Sequence, residues 1–229
     1  MRGRVALVTG GSGGIGAALC ERLADAGARV AVHYFEHRPA GAEHAFRADL
    51  RDRAATERLI DEVEAALGPV DILAANAGLS TPAPYEDVDA AMFDETLAVN
   101  LRAPFLLARR VLPGMCERGY GRILFTSSVA GLTGGIIGPH YAASKAGLHG
   151  LTHHLAARVA ADGVTVNAIA PALIADTAML PGDPAELAAN VPVRRLGRPE
   201  EVADLMLAIL GNGYVTNQVI SIDGGIYPG

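Results

Sequence analysis

The chain has 229 residues, half of them hydrophobic, with 19 lysines and arginines against 25 acidic side chains and a formal net charge of −6. That length holds one α/β domain, residues 1–229, with a sizeable buried core. An acidic chain without a basic tract is unsuited to nucleic acid or an anionic membrane, and Arg109-Arg110 and Arg194-Arg195 are too short to change this.

Met1-Arg2-Gly3-Arg4 runs directly into Val5-Ala6-Leu7-Val8, a short apolar strand, with no signal core before it. A Gly-rich turn follows. Ile15 to Ala26 has helical spacing (Ile15, Leu19, Leu23) and closes at Gly27. Arg29 to Tyr34 reads as a second strand. Only ten residues separate Tyr34 from Ala45, and Pro39 and Gly41 lie among them, so a loop or single turn is expected there instead of a helix. Val70 to Ala75 reads as a strand ending at Asn76-Ala77-Gly78. Met92 to about Glu117 reads as a long helix, bent near Pro104 and Pro113. Arg122–Thr126 and Thr165–Ala170 read as strands, with a helix from Tyr141 to Ala161 between them. Glu200 to Leu210 is a helix and Gln218 to Ile222 the last strand. Apolar strands alternating with helices predict a Rossmann-type, doubly wound parallel sheet in a single domain. No apolar run of spanning length occurs, and Cys20 and Cys116 lack CxxC partners. A cytoplasmic protein with free thiols is expected.

Thr9-Gly10-Gly11-Ser12-Gly13-Gly14-Ile15-Gly16 joins the first strand to the first helix. Glycines there let the backbone approach a pyrophosphate, and the helix N-terminus offers N–H groups and partial positive charge. A dinucleotide site is expected.

The chain has 18 arginines and one lysine, Lys145. A compact ammonium has a pKa that responds to its surroundings, which a guanidinium does not. Tyr141 lies four residues before it and shares its helix face. An ammonium beside a phenol is expected to favour the phenolate and make tyrosine a usable acid or base. His149 and His153 have metal-ligand spacing, but no third ligand is evident; a helix surface or subunit contact explains them better. His140 is expected either to line a pocket or to sit in a surface turn.

These motifs, in this order, resemble the short-chain dehydrogenase/reductase family, over almost the whole chain. Thr9-Gly10-x-x-x-Gly14-x-Gly16 looks like its coenzyme loop and Asp49 like the acid that contacts adenine. Asn76-Ala77-Gly78 resembles its strand-end motif, and Asn100 its helix asparagine. Ser128 stands thirteen residues before Tyr141, as the family's serine does. The resemblance implies catalysis by Asn100, Ser128, Tyr141 and Lys145. Tyr141 would give a proton to a carbonyl oxygen, and Ser128 would stabilise the charge on that oxygen. Lys145 would hold the nicotinamide ribose, and Asn100 a relay water. Coenzyme contacts are expected from Gly10, Ser12, Gly13, Gly14, Ile15, Gly16, Tyr34, Arg38, Asp49, Leu50, Asn76, Ala77, Gly78, Tyr141, Lys145, Pro171 and Ile174. No metal site is expected.

Three features depart from the family pattern. Pro171-Ala172 replaces Pro-Gly, which would cost roughly 1 kcal/mol if the position needs positive φ. The matching threonine is Thr177, displaced by one. The substrate lid, residues 172–198, is short and is broken at Pro181-Gly182-Asp183-Pro184. At the end of the second strand His33-Tyr34 stands in place of an acid. Nothing there is expected to repel a 2′-phosphate, and Arg38 is placed to bind it, so NADP(H) is favoured, with NAD(H) possible. Gly13 stands where many NADP-using relatives carry a base.

The ending Ser-Ile-Asp-Gly-Gly looks most like 3-oxoacyl carrier-protein reductases. That implies reduction of a small-molecule or acyl-carrier-bound ketone to a secondary alcohol by a homotetramer or homodimer. An NAD-dependent alcohol dehydrogenase of other substrate, and a coenzyme-binding regulatory or scaffold protein without turnover, are the competing readings.

Overall fold

The structure, a computed structural model, describes residues 1–177, 179–180 and 182–227. Seven strands form one sheet: β1 (Val5–Val8), β2 (Arg29–Tyr34), β3 (His44–Arg47), β4 (Ile72–Ala75), β5 (Gly121–Thr126), β6 (Val164–Pro171) and β7 (Val219–Ile222). Their order is β3-β2-β1-β4-β5-β6-β7, with every neighbour parallel. The order reverses between β1 and β4. In doubly wound sheets the crevice at such a switch point receives the ligand.

Successive side chains on a strand point to opposite faces, and here both faces are covered. Val5 and Leu7 of β1 join a core with Leu73, Ile123, Phe125 and Val166 under α2 (Arg53–Leu67), α4 (Ala103–Glu117) and α6 (Pro139–Val159). Ala6 and Val8 turn the other way. With Ile72 and Leu124 they pack under α1 (Gly14–Asp25) and α8 (Pro199–Gly211). Three layers result, helix on sheet on helix.

The connection from β2 to β3 contains no helix, as its length predicts. Two elements carry weaker sequence signals. The helix α2 is N-capped by Asp52, whose carboxylate accepts the N–H groups of Ala54 and Ala55. A short α7 (Pro184–Ala189) starts at Asp183, which caps Ala185 and Glu186. The lid therefore holds a helical turn just beyond its expected break; Pro181 itself lies outside the described residues.

The long helix expected from Met92 is α3 (Ala90–Leu97), a π-helical turn at Ala98–Arg102, and α4. The irregularity lies at Asn100, where an extra residue is accommodated, four residues before Pro104, whose missing N–H and ring act on the carbonyl at that position, so it falls near Pro104 as expected. A four-residue helix α5 (Ala130–Thr133) follows β5.

Among the described residues no helix is long and apolar enough to cross a membrane, and no cluster of three or more metal-ligating side chains occurs. Cys20 and Cys116 are free, and burial pushes the Cys20 thiol up to about 12.

Candidate active site

A cleft of about 820 Å³ opens at the C-terminal ends of β1, β2, β4, β5 and β6. At one end is the glycine loop. Gly10 and Gly14 have φ of 65° and 52°, which other residues adopt at a cost. A Cβ on Gly16 would overlap the Gly10 carbonyl oxygen, so only glycine lets α1 sit this close to β1. Gly16 therefore packs beneath the loop and does not line the cleft. Gly13 faces open space, and no side chain caps α1 there, so the first amides of the helix are not claimed by a cap. Bare amides and a steric cradle fit a pyrophosphate.

A polar knot fixes this loop against the next strand end. The Thr9 hydroxyl accepts the N–H groups of Asn76 and Ala77, both at 3.0 Å. The Asn76 amide returns bonds to the Thr9 and Gly10 carbonyls, and the Thr126 hydroxyl donates to the Asn76 side-chain oxygen at 3.2 Å. His33 does similar work from β2. Its Nδ1 accepts the Gly10 N–H, while its Nε2 donates to the Ala48 carbonyl at 3.1 Å. Burial lowers its pKa and keeps the ring neutral, as this tautomer requires. His33 was legible only as a strand-end residue that is not an acid.

At the adenosine end the cleft is lined by Phe35, Glu36, His37, Asp49, Leu50 and Arg51, among others. The position of Arg38 differs from the sequence expectation: it is exposed and lies outside the lining, to which its neighbours Glu36 and His37 contribute. Tyr34 is likewise absent from the lining; it pairs with Arg47 inside the sheet. The expectation that nothing there repels a phosphate is corrected by Glu36. The guanidinium facing this end belongs to Arg51. It binds Asp49 through Nε and Nη2 at 2.7–3.0 Å and Glu95 through Nη1 at 2.9 Å, over the Phe35 ring. The pairing holds the Asp49 carboxyl below its usual range.

At the centre the structure brings together Ser128, Tyr141 and Lys145. Lys145 is 2% exposed and donates its ammonium to the Thr126 carbonyl at 2.7 Å, with Nζ 5.6 Å from the centre of the Tyr141 ring. Burial pulls its pKa from 10.5 down to about 8. Burial likewise raises the Tyr141 phenol above its ordinary value, and the nearby Ser128 hydroxyl only partly offsets that. The expectation of a phenol made acidic by its neighbour is therefore corrected. The ammonium points to a carbonyl, it is itself desolvated, and at this distance burial outweighs the charge. A protonated phenol is the resting state near neutral pH.

Asn100 is fully buried behind Leu79. Its side-chain oxygen accepts the Leu79 N–H at 2.7 Å, and its amide donates to the Leu79 carbonyl and to Ser144 Oγ. Both amide hydrogens are spent, so the side chain clamps the strap after β4. Sequence reasoning also missed Ser127, which lines the cleft and bridges the Lys145 carbonyl to His149 Nε2 at 2.7 Å. His153 meets Asn217 instead, so the two histidines serve different partners. His140 is neither pocket nor surface; it is buried and donates to the Thr81 carbonyl at 3.0 Å.

Pro171, Ala172, Ile174 and Thr177 close one wall. Ala172 does not have positive φ; that conformation falls on Asp176, so alanine costs nothing here. The Thr177 hydroxyl donates to the Ile174 carbonyl, and its methyl lies 3.2 Å from where a Cβ on Gly14 would be. The lid thus touches the glycine loop.

A buried ammonium destabilises the fold while it is charged in both folded and unfolded states, which holds below about pH 8. The cost fades between about 8 and 10.5 as the folded form alone loses its proton, and is gone above. Lys145→Met should therefore raise Tm at pH 7, by a few degrees for roughly 1–3 kcal/mol, the lost Thr126 bond offsetting part of the gain. Thermal melts from pH 7 to 10.5 check this: the gain should shrink as pH rises, and a lower Tm at pH 7 would contradict the assigned cost.

Three comparisons bear on this site. The short chain dehydrogenase family model matches residues 4–187. Acetoacetyl-CoA reductase of Rhizobium meliloti is 40% identical, with 98% of each chain covered. Nodulation protein G of Azospirillum brasilense is 38% identical, with 99% of each covered. Among solved structures, a blue fluorescent protein from a metagenomic library in complex with NADPH superposes with TM-score 0.90 at 34% identity, covering 99% of both chains. With the glycine loop and the Ser128, Tyr141 and Lys145 cluster at one switch point, the chain belongs to the short-chain dehydrogenase family and is an oxidoreductase.

Proposed function

We propose that the protein uses NADP(H) to reduce a ketone, of the 3-oxoacyl type or related, to a secondary alcohol. The observation that carries this is the protonated, buried phenol of Tyr141 beside Ser128 in a cleft that opens onto a phosphate cradle. The bound coenzyme would supply hydride to the carbonyl carbon. Tyr141 gives its phenolic proton to the carbonyl oxygen, and Ser128 donates a hydrogen bond to the same oxygen as charge builds there. Raised by burial, the phenol is a donor throughout the neutral range. Lys145 sits where its ammonium steadies the phenolate left behind, which then regains a proton from solvent. The names of the acetoacetyl-CoA reductase relatives support a 3-oxo substrate.

Tyr141→Phe should lower NADPH consumption with a ketone by at least about a thousandfold, the upper range of what a positioned acid contributes, while the Kd for NADPH stays within about twofold. Most of the rate surviving would remove Tyr141 as proton donor.

For the coenzyme, the NADPH-bound neighbour favours NADP(H). Gly10, Ser12, Gly13, Gly14 and Ile15 would hold the pyrophosphate, Asp49 and Leu50 the adenine, and Asn76, Ala77, Gly78, Pro171 and Ile174 the nicotinamide half. Arg51, which faces the adenosine end, is the base for the 2′-phosphate in this reading, in place of the outlying Arg38. Arg51→Ala should weaken NADPH by about tenfold or more, the worth of one charge-assisted contact, and NADH much less. Fluorescence titration with both coenzymes decides; equal losses would free Arg51 of that role, and a larger effect from Arg38→Ala would return it to Arg38.

The groove along α4 and α6, with Leu97, Leu101, Phe105 and Leu151 over Gly147 and Gly150, suits a second copy of the chain. Phe105 is half exposed there, and nothing would meet a Cβ on Gly150, so an opposing helix can approach closely. Sedimentation velocity should show a dimer or tetramer; a species of 23.6 kDa, one chain, would overturn this.

A further inference from the structure

Ser127 and His149 take no part in the chemistry above, yet they meet at 2.7 Å directly behind it. The three residues after Phe125 each hold a different part of the site. The Thr126 carbonyl takes the Lys145 ammonium at 2.7 Å. The Ser127 hydroxyl donates to the Lys145 backbone carbonyl at 3.0 Å. Ser128 stands beside the Tyr141 phenol. Lys145 is thus gripped at its head and at its backbone by consecutive residues.

Ser127 is 3% exposed, and a hydroxyl has one hydrogen to give. That hydrogen goes to the Lys145 carbonyl, so in the 2.7 Å contact His149 Nε2 is the donor. The imidazole N–H occupies a lone pair of the hydroxyl and so fixes the direction in which its hydrogen points.

His149 is half-buried, one turn after Lys145 on α6. Its ring also lies against α5. A Cβ on Gly131 would stand 3.0 Å from His149 Cε1 and 2.9 Å from the Lys145 carbonyl carbon, so no side chain fits there. This turn of α5 is what holds Ser128. The Ala130 N–H donates to the Ser128 hydroxyl at 3.1 Å, and the Gly131 N–H donates to the Ser128 carbonyl at 2.9 Å. One ring therefore braces the chain on both sides of Ser128, by a hydrogen bond at Ser127 and by contact at Gly131.

Ser128 comes from the end of β5 and Tyr141 from α6, and both must reach the same substrate oxygen. Their separation is set by how these two elements are tied. We propose that His149 is a positioning residue for the reduction, acting through the Ser127 hydroxyl to hold the segment of Ser128 in register with the helix of Tyr141 and Lys145. The inference rests on the reductase reading above and adds to it two residues that do not touch the reacting atoms.

The test follows NADPH consumption with acetoacetyl-CoA and with ethyl acetoacetate, using the faster of the two, beside the Kd for NADPH and thermal melts. His149→Leu should lower kcat by about ten- to a hundredfold, the effect of a small misplacement of reacting groups. KM and the Kd for NADPH should stay within about threefold, since the glycine loop is untouched. His149→Gln, whose amide can place an N–H where Nε2 stands, should recover most of kcat; His149→Asn, one bond shorter, should not. Ser127→Ala should lose at least as much as His149→Leu, and combining the two should lower kcat by less than about twofold more, because both remove one bond. Should His149→Leu not fold, the contrast between glutamine and asparagine decides alone. An unchanged kcat in His149→Leu, multiplying losses in the double variant, or no recovery with glutamine would overturn this inference and leave the reductase reading standing. So would a loss of NADPH binding and Tm in step with kcat, which would make His149 a packing residue only. Wild-type protein that binds NADPH and reduces neither carbonyl would overturn the reductase reading and this inference with it.

Discussion

The site depends on one buried cation. Lys145 is the single lysine of the chain, and its ammonium is held out of water by α6 and anchored on the last carbonyl of β5. Putting a charge there is unfavourable, which is why its pKa falls to about 8. Much of the neighbourhood follows from that placement. Thr126, whose carbonyl takes the ammonium, uses its hydroxyl on Asn76, and Asn76 grips the glycine loop. The phenol of Tyr141, a turn earlier on α6, shares the dry surroundings and keeps its proton for the same reason. An arginine at 145 would bring a larger, permanently charged fork to a space with one carbonyl to satisfy it.

The sheet, its single-domain closure and the helices around Leu19, Tyr141 and Met206 were legible because periodicity and strand–turn–helix order are local properties. The glycine loop was legible for the same reason, since positive φ at Gly10 and Gly14 and the contact at Gly16 select glycine directly. What the chain order hides is direction. Arg38 and Arg51 are equally basic as letters; the first lies in the exposed turn after β2, and the second, after β3, is held at the cleft by Asp49 and Glu95. Asn100 was found as a residue but not as a clamp, because its partner Leu79 is 21 residues away. Short capped helices such as α7 have too few residues to show a period, and their signal is the cap, Asp183.

The cleft is divided by charge as well as by shape. Its adenosine end is an ion lattice in which Arg51 is shared between Asp49 and Glu95, with Arg102 holding the Arg51 carbonyl. Its other end is hydrocarbon, lined by Ile136, Ile137, Leu173 and Leu180. A ligand that is polar at one end and apolar at the other has one orientation in such a slot, so polarity and hydrophobicity together set which way round the coenzyme and substrate lie.

The π-turn at Ala98–Arg102 acts as a phase shifter. A regular helix advances about 100° per residue, so one extra residue within a turn rotates everything after it by about that angle relative to everything before. Upstream, α3 lies against α6; downstream, α4 lies against α2 and the sheet. One continuous rod thereby shows two differently oriented apolar stripes without a break in the chain. The length of this rod is therefore quantised by its function as a spacer: residues can be exchanged along it far more freely than they can be added or removed.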